Sequence, residues 1–156
     1  MEYYKKSCRR FYMMEKYHRI LVAVDGSEPA KLAFEKGLEL ALKLDGVLGI
    51  ASIVDLRAFS PNVSYDGSLE EKAELELKTS VNEYAEKART AGVKQVETFV
   101  AKGNPKILLS TDIPAEFQAD LIICGATGMN RVEKLVLGSV SSYIMAHAIC
   151  DTLIAR

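Results

Sequence analysis

The sequence predicts an α/β fold in which a mostly parallel sheet is covered by helices on both faces. Five predicted strands alternate with four predicted helices, and the first two helices carry apolar residues at helical spacing. Strict alternation of this kind is typical of parallel strands joined by right-handed crossovers. The chain has 156 residues, of which 49% are hydrophobic, so it can bury the core of one domain but not of two.

The first strand and helix are separated by a recognisable turn. Residues 20–24 are wholly apolar and rich in branched side chains, as expected for a strand buried on both faces. Residues 25–26 break this run. Ser27 is a favourable N-cap and Pro29 suits a first helical turn, so a helix is predicted from here to residues 45–46.

A second strand and a longer helix follow. Residues 47–54 form the strand, and residues 55–67 form a polar loop. Ser68 and Glu71 match a capping box, which satisfies exposed amides at a helix start, and Gly92 ends the predicted helix.

The remaining elements repeat the alternation. Residues 93–100 are the predicted third strand, and residues 103–105 open a helix that runs to about residue 117. Pro114 should break or kink this helix, because proline has no amide donor and clashes with the preceding turn. The last three predicted elements are a strand, a helix and a short strand, at residues 121–124, 139–148 and 152–155.

The composition excludes several classes of protein. Twenty basic and 21 acidic residues give a net charge of −1, which argues against a dedicated nucleic-acid binder. No apolar run approaches the roughly 18 residues of a membrane span. Three cysteines without a CxxC pair, together with two histidines, argue against a zinc site. Sparse cysteines without a secretory signal lead us to expect a cytoplasmic protein.

The amino-terminal segment differs from the rest of the chain. Residues 1–17 form a basic extension, expected to be disordered, and the domain is predicted to span residues 18–156. Six basic and two acidic side chains give residues 1–19 a net charge of +4. Interleaved Tyr and Arg could instead contact anionic lipid or nucleic acid. A third interpretation is that translation begins at Met13 or Met14.

The candidate site follows the fourth strand. Ligands of open α/β sheets bind beyond the carboxyl ends of the strands. There the sequence has Gly125-Ala126-Thr127-Gly128 and, nine residues later, Gly138-Ser139 at a helix start. Amides at a helix start favour phosphate, and Arg131 and Lys134 would add positive charge. A structural interpretation stays open, in which the glycines only turn the chain and Ser139 only caps the helix.

These segments resemble the universal stress protein family. Residues 20–27, Ile-Leu-Val-Ala-Val-Asp-Gly-Ser, resemble its opening strand and turn, and Gly125-x2-Gly128-x9-Gly138-Ser139 matches its nucleotide-binding signature. Residues 103–105 and 119–123 resemble further family segments, so the resemblance covers about residues 18–156. It implies a Rossmann-like (adenine nucleotide alpha hydrolase-like) fold with a five-stranded parallel sheet ordered 3-2-1-4-5. It also implies the ATP-binding branch of the family.

The resemblance assigns a role to each site residue. The implied ligand is ATP with Mg²⁺ or Mn²⁺, and Asp25 would help to position the metal, directly or through water. Val54 would contact adenine through its backbone. The residues beside the nucleoside are then Ala23, Val24 and Asp25, and those at the triphosphate are Gly125, Ala126, Thr127, Gly128, Arg131, Gly138, Ser139, Val140 and Ser141.

The resemblance also implies partners. Members of the family commonly dimerise through the last strand, so a homodimer is expected through the strand that begins at Thr152 and ends at Arg156. Asp151 stands where the family usually has proline, and the polar start of this strand makes the expected interface less secure. A regulatory protein of unknown identity is the other expected partner, and neither nucleic acid nor a membrane is expected.

Three functions are compatible with these observations. The first is an ATP-binding stress-response module that regulates through nucleotide occupancy, favoured by the glycine motif and by the lack of a catalytic set. The second is a slow, partner-stimulated ATPase, for which Asp25 is the candidate water-activating group. The third is a nucleotide-independent structural dimer, against which the intact glycines argue. Cys124 is expected to pack in the core, and His147 to lie on the surface.

Overall fold

Five parallel strands form one sheet in the computed structural model, which describes residues 17–58, 67–128 and 136–156. The strand order is β3-β2-β1-β4-β5, as the family resemblance implies. The strands are β1 (Arg19–Ala23), β2 (Val47–Asp55), β3 (Val96–Gly103), β4 (Leu121–Gly125) and β5 (Asp151–Ala155).

Helices cover both faces of this sheet and divide the core in two. The helices are α1 (Glu28–Leu44), α2 (Ser68–Ala91), α3 (Pro105–Ile107, Leu108–Asp112 and Ile113–Phe117 in succession) and α4 (Ser139–His147), with a short 3-10 turn at Leu56–Ala58. Helices α1 and α2 pack on the face that carries Ile20 and Val22. Helices α3 and α4 pack on the opposite face, which carries Leu21 and Ala23. Side chains of β1 alternate between the two cores, as period-2 geometry requires.

Strand β3 begins three residues later than predicted. Gly92 adopts a left-handed conformation (φ 109°) at the end of α2, and the amide of Val93 donates to Ala88 O at 3.0 Å. Val93 is therefore buried as part of the helix terminus, and its apolar character was wrongly attributed to the strand.

The predicted capping box at the start of α2 is wrong. Gly67 is the N-cap of this helix, at φ 75°, and no side chain makes a cap hydrogen bond. Ser68 is the first helical residue, and the amide of Glu71 donates to Gly67 O at 3.1 Å.

Pro114 disturbs α3 without ending it. Leu108–Asp112 form a π-helical turn immediately before the segment that contains Pro114. Because proline lacks an amide, it cannot donate to the carbonyl of Ser110 four residues earlier. That carbonyl accepts instead from the amide of Ile149, at 3.2 Å. The predicted helix break thus takes the form of a widened turn that connects α3 to the segment before β5.

The first described residues are tied to the sheet. The Tyr17 hydroxyl donates to Asp151 Oδ2 at 2.7 Å, and its ring packs against the core beneath α1. Asp120 Oδ2 accepts from the amides of His18 and Arg19, at 2.7 and 3.0 Å. Tyr17 therefore belongs with the domain, and residues 1–16 of the predicted extension lie outside the described residues. None of the helices in the described ranges has the length and apolarity needed to cross a membrane.

Candidate functional site

A cleft of about 520 Å³ opens at the carboxyl edge of the sheet, where β1 and β4 lie side by side. The chain proceeds from β1 to one side of the sheet and from β4 to the other, so the two following loops diverge and leave a crevice. A Cβ atom built on Gly128 would lie 2.9 Å from Asp25 Oδ2. The loops after β1 and β4 therefore face each other across this cleft, as the sequence predicts.

The turn after β1 fixes the carboxylate of Asp25 at the mouth of the cleft. Its Oδ1 accepts from the amide of Ser27 at 3.0 Å. Gly26 has a φ of 84°, a left-handed conformation that residues with a side chain rarely adopt. The Ser27 hydroxyl accepts from the amide of Ala30 at 3.2 Å and caps α1, as predicted.

The loop after β4 is joined to the start of α4 through the carbonyl of Ala126. This carbonyl accepts from the amide of Gly138 at 2.7 Å and from the Ser141 hydroxyl at 2.8 Å. Ser141 is buried, and its hydroxyl also lies 3.1 Å from Gly138 O. Gly138, and not Ser139, is the N-cap of α4, so the interpretation of Ser139 as a helix cap is wrong.

The start of α4 presents backbone amides to the cleft. Ser139, Val140 and Ser141 form the first turn of this nine-residue helix, where amides have no acceptor within the helix. All three residues line the cleft. The amides at a helix N-terminus carry a partial positive charge, so this end of the cleft favours an anion.

The three signature glycines differ in what surrounds them. None has a left-handed φ, so each acts through the space it leaves. A Cβ atom on Gly125 would lie 2.6 Å from the backbone carbon of Pro29, which means that α1 packs directly on this glycine. A Cβ atom on Gly128 would lie 2.9 Å from Asp25 Oδ2, its one close neighbour among the described residues, and one on Gly138 would lie 3.1 Å from Ser141 Oγ. Gly125 is therefore needed for the close packing of α1 on β4, whereas Gly128 borders the cleft.

Most of the predicted site residues converge on this cleft. Eleven predicted residues line it: Ala23, Val24, Asp25, Val54, Gly125, Thr127, Gly128, Gly138, Ser139, Val140 and Ser141. Ala126 does not line the cleft and acts through its carbonyl. Arg131 and Lys134 lie outside the described residues.

Other lining residues were missed by sequence analysis. Ser52, a buried residue of β2, donates its hydroxyl to Val24 O at 2.7 Å and holds the end of β1 in place. A lone polar residue within an apolar strand was the available signal. Ala73 and Leu77 of α2 form one wall, and Leu109 of α3 forms part of the other side. Nothing in their local sequence distinguishes these three from ordinary helix residues.

The described lining residues are acidic overall. They include the carboxylates of Asp25, Asp55 and Glu76, and no Lys or Arg of the described ranges is among them. Arg57 donates to both carboxylate oxygens of Asp55, at 2.8 and 2.7 Å, and these hydrogen bonds hold the pKa of Asp55 below its usual value. Among the described residues, the groups at the cleft that favour an anion are therefore the backbone amides at the start of α4.

The residues present fit a divalent cation that arrives with its ligand. Within the described ranges, no group of three or more His, Cys, Asp and Glu side chains could hold a metal ion by itself. Asp25 nevertheless offers one carboxylate beside the anion-favouring end of the cleft. Mg²⁺ is typically bound by one or two carboxylates together with phosphate oxygens, which is compatible with this arrangement.

Cys124 lies at the base of the cleft and is unsuited to nucleophilic chemistry. It is 5% exposed, and burial raises the pKa of its thiol to about 12. The thiol therefore stays protonated at neutral pH, which agrees with its predicted role in core packing.

The fold and the cleft define a Rossmann-like α/β protein with a cleft at the switch point of its sheet. A family model described as the universal stress protein family matches residues 16–156, and the chain belongs to this family. A universal stress protein of Staphylococcus haemolyticus is 41% identical over 140 residues, covering 90% of this chain and 85% of the relative.

Solved structures agree with this assignment. UspA from Lactobacillus plantarum superposes with a TM-score of 0.80 at 29% identity, covering 90% of this chain and 99% of that protein. The universal stress protein from Archaeoglobus fulgidus in complex with dAMP superposes with a TM-score of 0.60 at 19% identity, over 90% of this chain and 99% of that one. At that identity, the second similarity concerns the fold alone.

Proposed function

We propose that this protein binds ATP with Mg²⁺ or Mn²⁺ in the cleft and acts as a nucleotide-dependent regulatory module in a stress response. The observation that carries the proposal is the start of α4, whose amides from Ser139 to Ser141 face a cleft bordered by Asp25 and Gly128. A helix start of this kind is a ready-made site for an anion such as phosphate.

The apolar part of the cleft, called its apolar end below, suits a nucleobase. Ala30, Val54, Ala73 and Leu77 supply an apolar lining drawn from α1, β2 and α2. An apolar pocket with few polar groups is the usual setting for an aromatic ligand. Adenine is the base proposed, since the universal stress protein of Archaeoglobus fulgidus, which shares this fold, was solved with the adenine nucleotide dAMP.

The metal has a specific task in this proposal. Three carboxylates line the described part of the cleft, and those of Asp25 and Glu76, unlike Asp55 with its Arg57 partner, would repel a triphosphate. A divalent cation between Asp25 and the phosphate oxygens removes part of this repulsion. Binding is therefore expected to depend strongly on the metal.

Titration calorimetry tests the proposed function. Protein stripped of copurified nucleotide is expected to bind MgATP with micromolar affinity, and to bind more weakly in EDTA. Phosphate release measured on the same sample separates simple binding from hydrolysis. No heat of binding at millimolar MgATP, in protein shown to be folded, would contradict the proposal.

We further propose that the protein forms a homodimer through β5. This strand lies at an edge of the described sheet, and the adjacent Met145 and Ile149 are 55% and 56% exposed. Edge strands and exposed apolar side chains favour association. Light scattering coupled to gel filtration is expected to give twice the monomer mass of 17.2 kDa. A monomer mass at micromolar concentration would contradict this interface.

A further inference from the structure

The first half of α2 is attached to the domain more weakly than the second half. Residues 68–80 include no buried residue, whereas Val81, Ala85 and Ala88 in the second half are all buried in the core. Leu69 and Leu75 are 54% and 66% exposed. A helical segment with so little buried apolar surface opens at low free-energy cost.

This weakly attached segment nevertheless forms a wall of the cleft. Ala73, Glu76 and Leu77 line it from α2, opposite the residues that follow β1 and β2. A displacement of residues 68–78 would therefore widen the cleft at its apolar end. It would leave the start of α4, on the other face of the sheet, unchanged.

One ion pair holds this wall against the sheet. Lys102 of β3 lies 2.7 Å from Glu74 Oε2, and it is the ion pair that joins α2 to a strand among the described residues. Lys78, within α2 itself, lies 2.6 Å from Glu74 Oε1. The hydrogen bonds from Lys102 and Lys78 lower the pKa of Glu74 to about 2, so its carboxylate is ionised at neutral pH.

We propose that Glu74 and Lys102 are positioning residues. Their ion pair, called the latch below, holds the first half of α2 against the cleft. This half-helix is then a movable wall that controls how fast a nucleotide reaches and leaves the apolar end. The identity of the ligand rests on the proposed function, whereas the latch itself rests on the ion pair and the burial pattern.

The chain offers a matched pair of variants for the test. Lys102→Met removes the cation that ties α2 to the sheet and keeps an aliphatic side chain of similar length. Lys78→Met removes a cation from the same carboxylate but leaves the tie to the sheet intact. Lys102→Arg restores the charge and is expected to restore the latch.

Hydrogen–deuterium exchange without nucleotide reports on the latch directly. Amides of residues 68–78 are expected to exchange about two- to five-fold faster in Lys102→Met, the range typical of a lost exposed ion pair. The increase should be smaller in Lys78→Met and absent in Lys102→Arg. In stopped-flow measurements with a fluorescent ATP analogue and Mg²⁺, dissociation from Lys102→Met should accelerate by a similar factor.

The outcomes separate the latch from the proposed function. Equal exchange in Lys102→Met and Lys78→Met, or unchanged exchange and dissociation in Lys102→Met, would overturn the latch. A wild-type protein that binds no MgATP would overturn the proposed function. The exchange comparison would then still decide whether Glu74 and Lys102 hold the wall.

Discussion

Gly125→Ala is expected to destabilise the fold by about 2–3 kcal/mol, the upper part of the range found for overpacked cores. The added methyl carbon would lie 2.6 Å from the backbone carbon of Pro29 and 2.8 Å from its oxygen. These are main-chain atoms at the start of α1, so no side-chain rotation can relieve the contact. Either α1 or the end of β4 must shift.

Thermal unfolding measures this effect against a matched control. At about 2–4 °C per kcal/mol for a chain of this size, Gly125→Ala should unfold about 4–12 °C below the wild type. Gly128→Ala adds the same methyl group beside the terminal Oδ2 of Asp25, which can move, so its unfolding temperature should change little. Equal unfolding temperatures for the two variants would show that Gly125 has no special structural role.

The different roles of Gly125 and Gly128 could not be inferred from the spacing of the signature. The pattern Gly125-x2-Gly128-x9-Gly138-Ser139 identifies which loops border a ligand, because its elements are local. What each glycine accommodates depends on Pro29, which is far from Gly125 in the sequence. Only the packing of α1 on β4 shows that Gly125 has a structural role.

The sheet was predictable because its signals are local as well. Residues 20–24 are a continuous apolar run, and the turn from Asp25 to Ser27 contains its own left-handed glycine and helix cap. The strand order followed from the family resemblance and is confirmed. Strand β3 was misplaced because Val93 is apolar for a different reason, as the buried terminus of α2.

In α3 and α2, contacts with residues distant in sequence determine features that the local sequence does not predict. Pro114 signals a disturbance, but the chain continues as a helix because Ile149 satisfies the carbonyl that proline leaves free. Similarly, the sequence places Ala73 and Leu77 on the apolar face of a helix, and only the tertiary structure brings them to the cleft. Partners distant in sequence decide both outcomes.

Gly128→Val is expected to lower the affinity for MgATP on the order of 100-fold, with the fold retained. In the proposed complex, the phosphates approach the backbone between Gly128 and the first turn of α4. A branched side chain at this position would project toward the Asp25 carboxylate and occupy that space. The loss of one or two hydrogen bonds to a charged group, about 1.5–3 kcal/mol each, accounts for a change of this size.

Calorimetry on Gly128→Val should therefore show weak binding, while its unfolding temperature stays close to that of the wild type. Gly138→Val should also weaken binding, but with a loss of stability, because its Cβ atom would lie 3.1 Å from Ser141 Oγ and 3.3 Å from Ala126 O. Unchanged affinity in both variants would remove the phosphate site from the loop after β4.

The double variant Asp25→Ala, Gly128→Val identifies how valine acts. A Cβ atom at position 128 would lie 2.9 Å from Asp25 Oδ2. One way in which valine could weaken binding is therefore by displacing this carboxylate, without blocking the phosphates. In that case the double variant will bind MgATP as well as Asp25→Ala alone. If valine blocks the phosphates themselves, the double variant will bind more weakly than either single variant.

A comparison in EDTA gives a second test. Because Asp25 is proposed to act through the metal, its own substitution should matter little in EDTA, whereas a steric block at Gly128 persists without metal. We expect the second pattern, since the amides at the start of α4 are the principal phosphate donors of the proposed site.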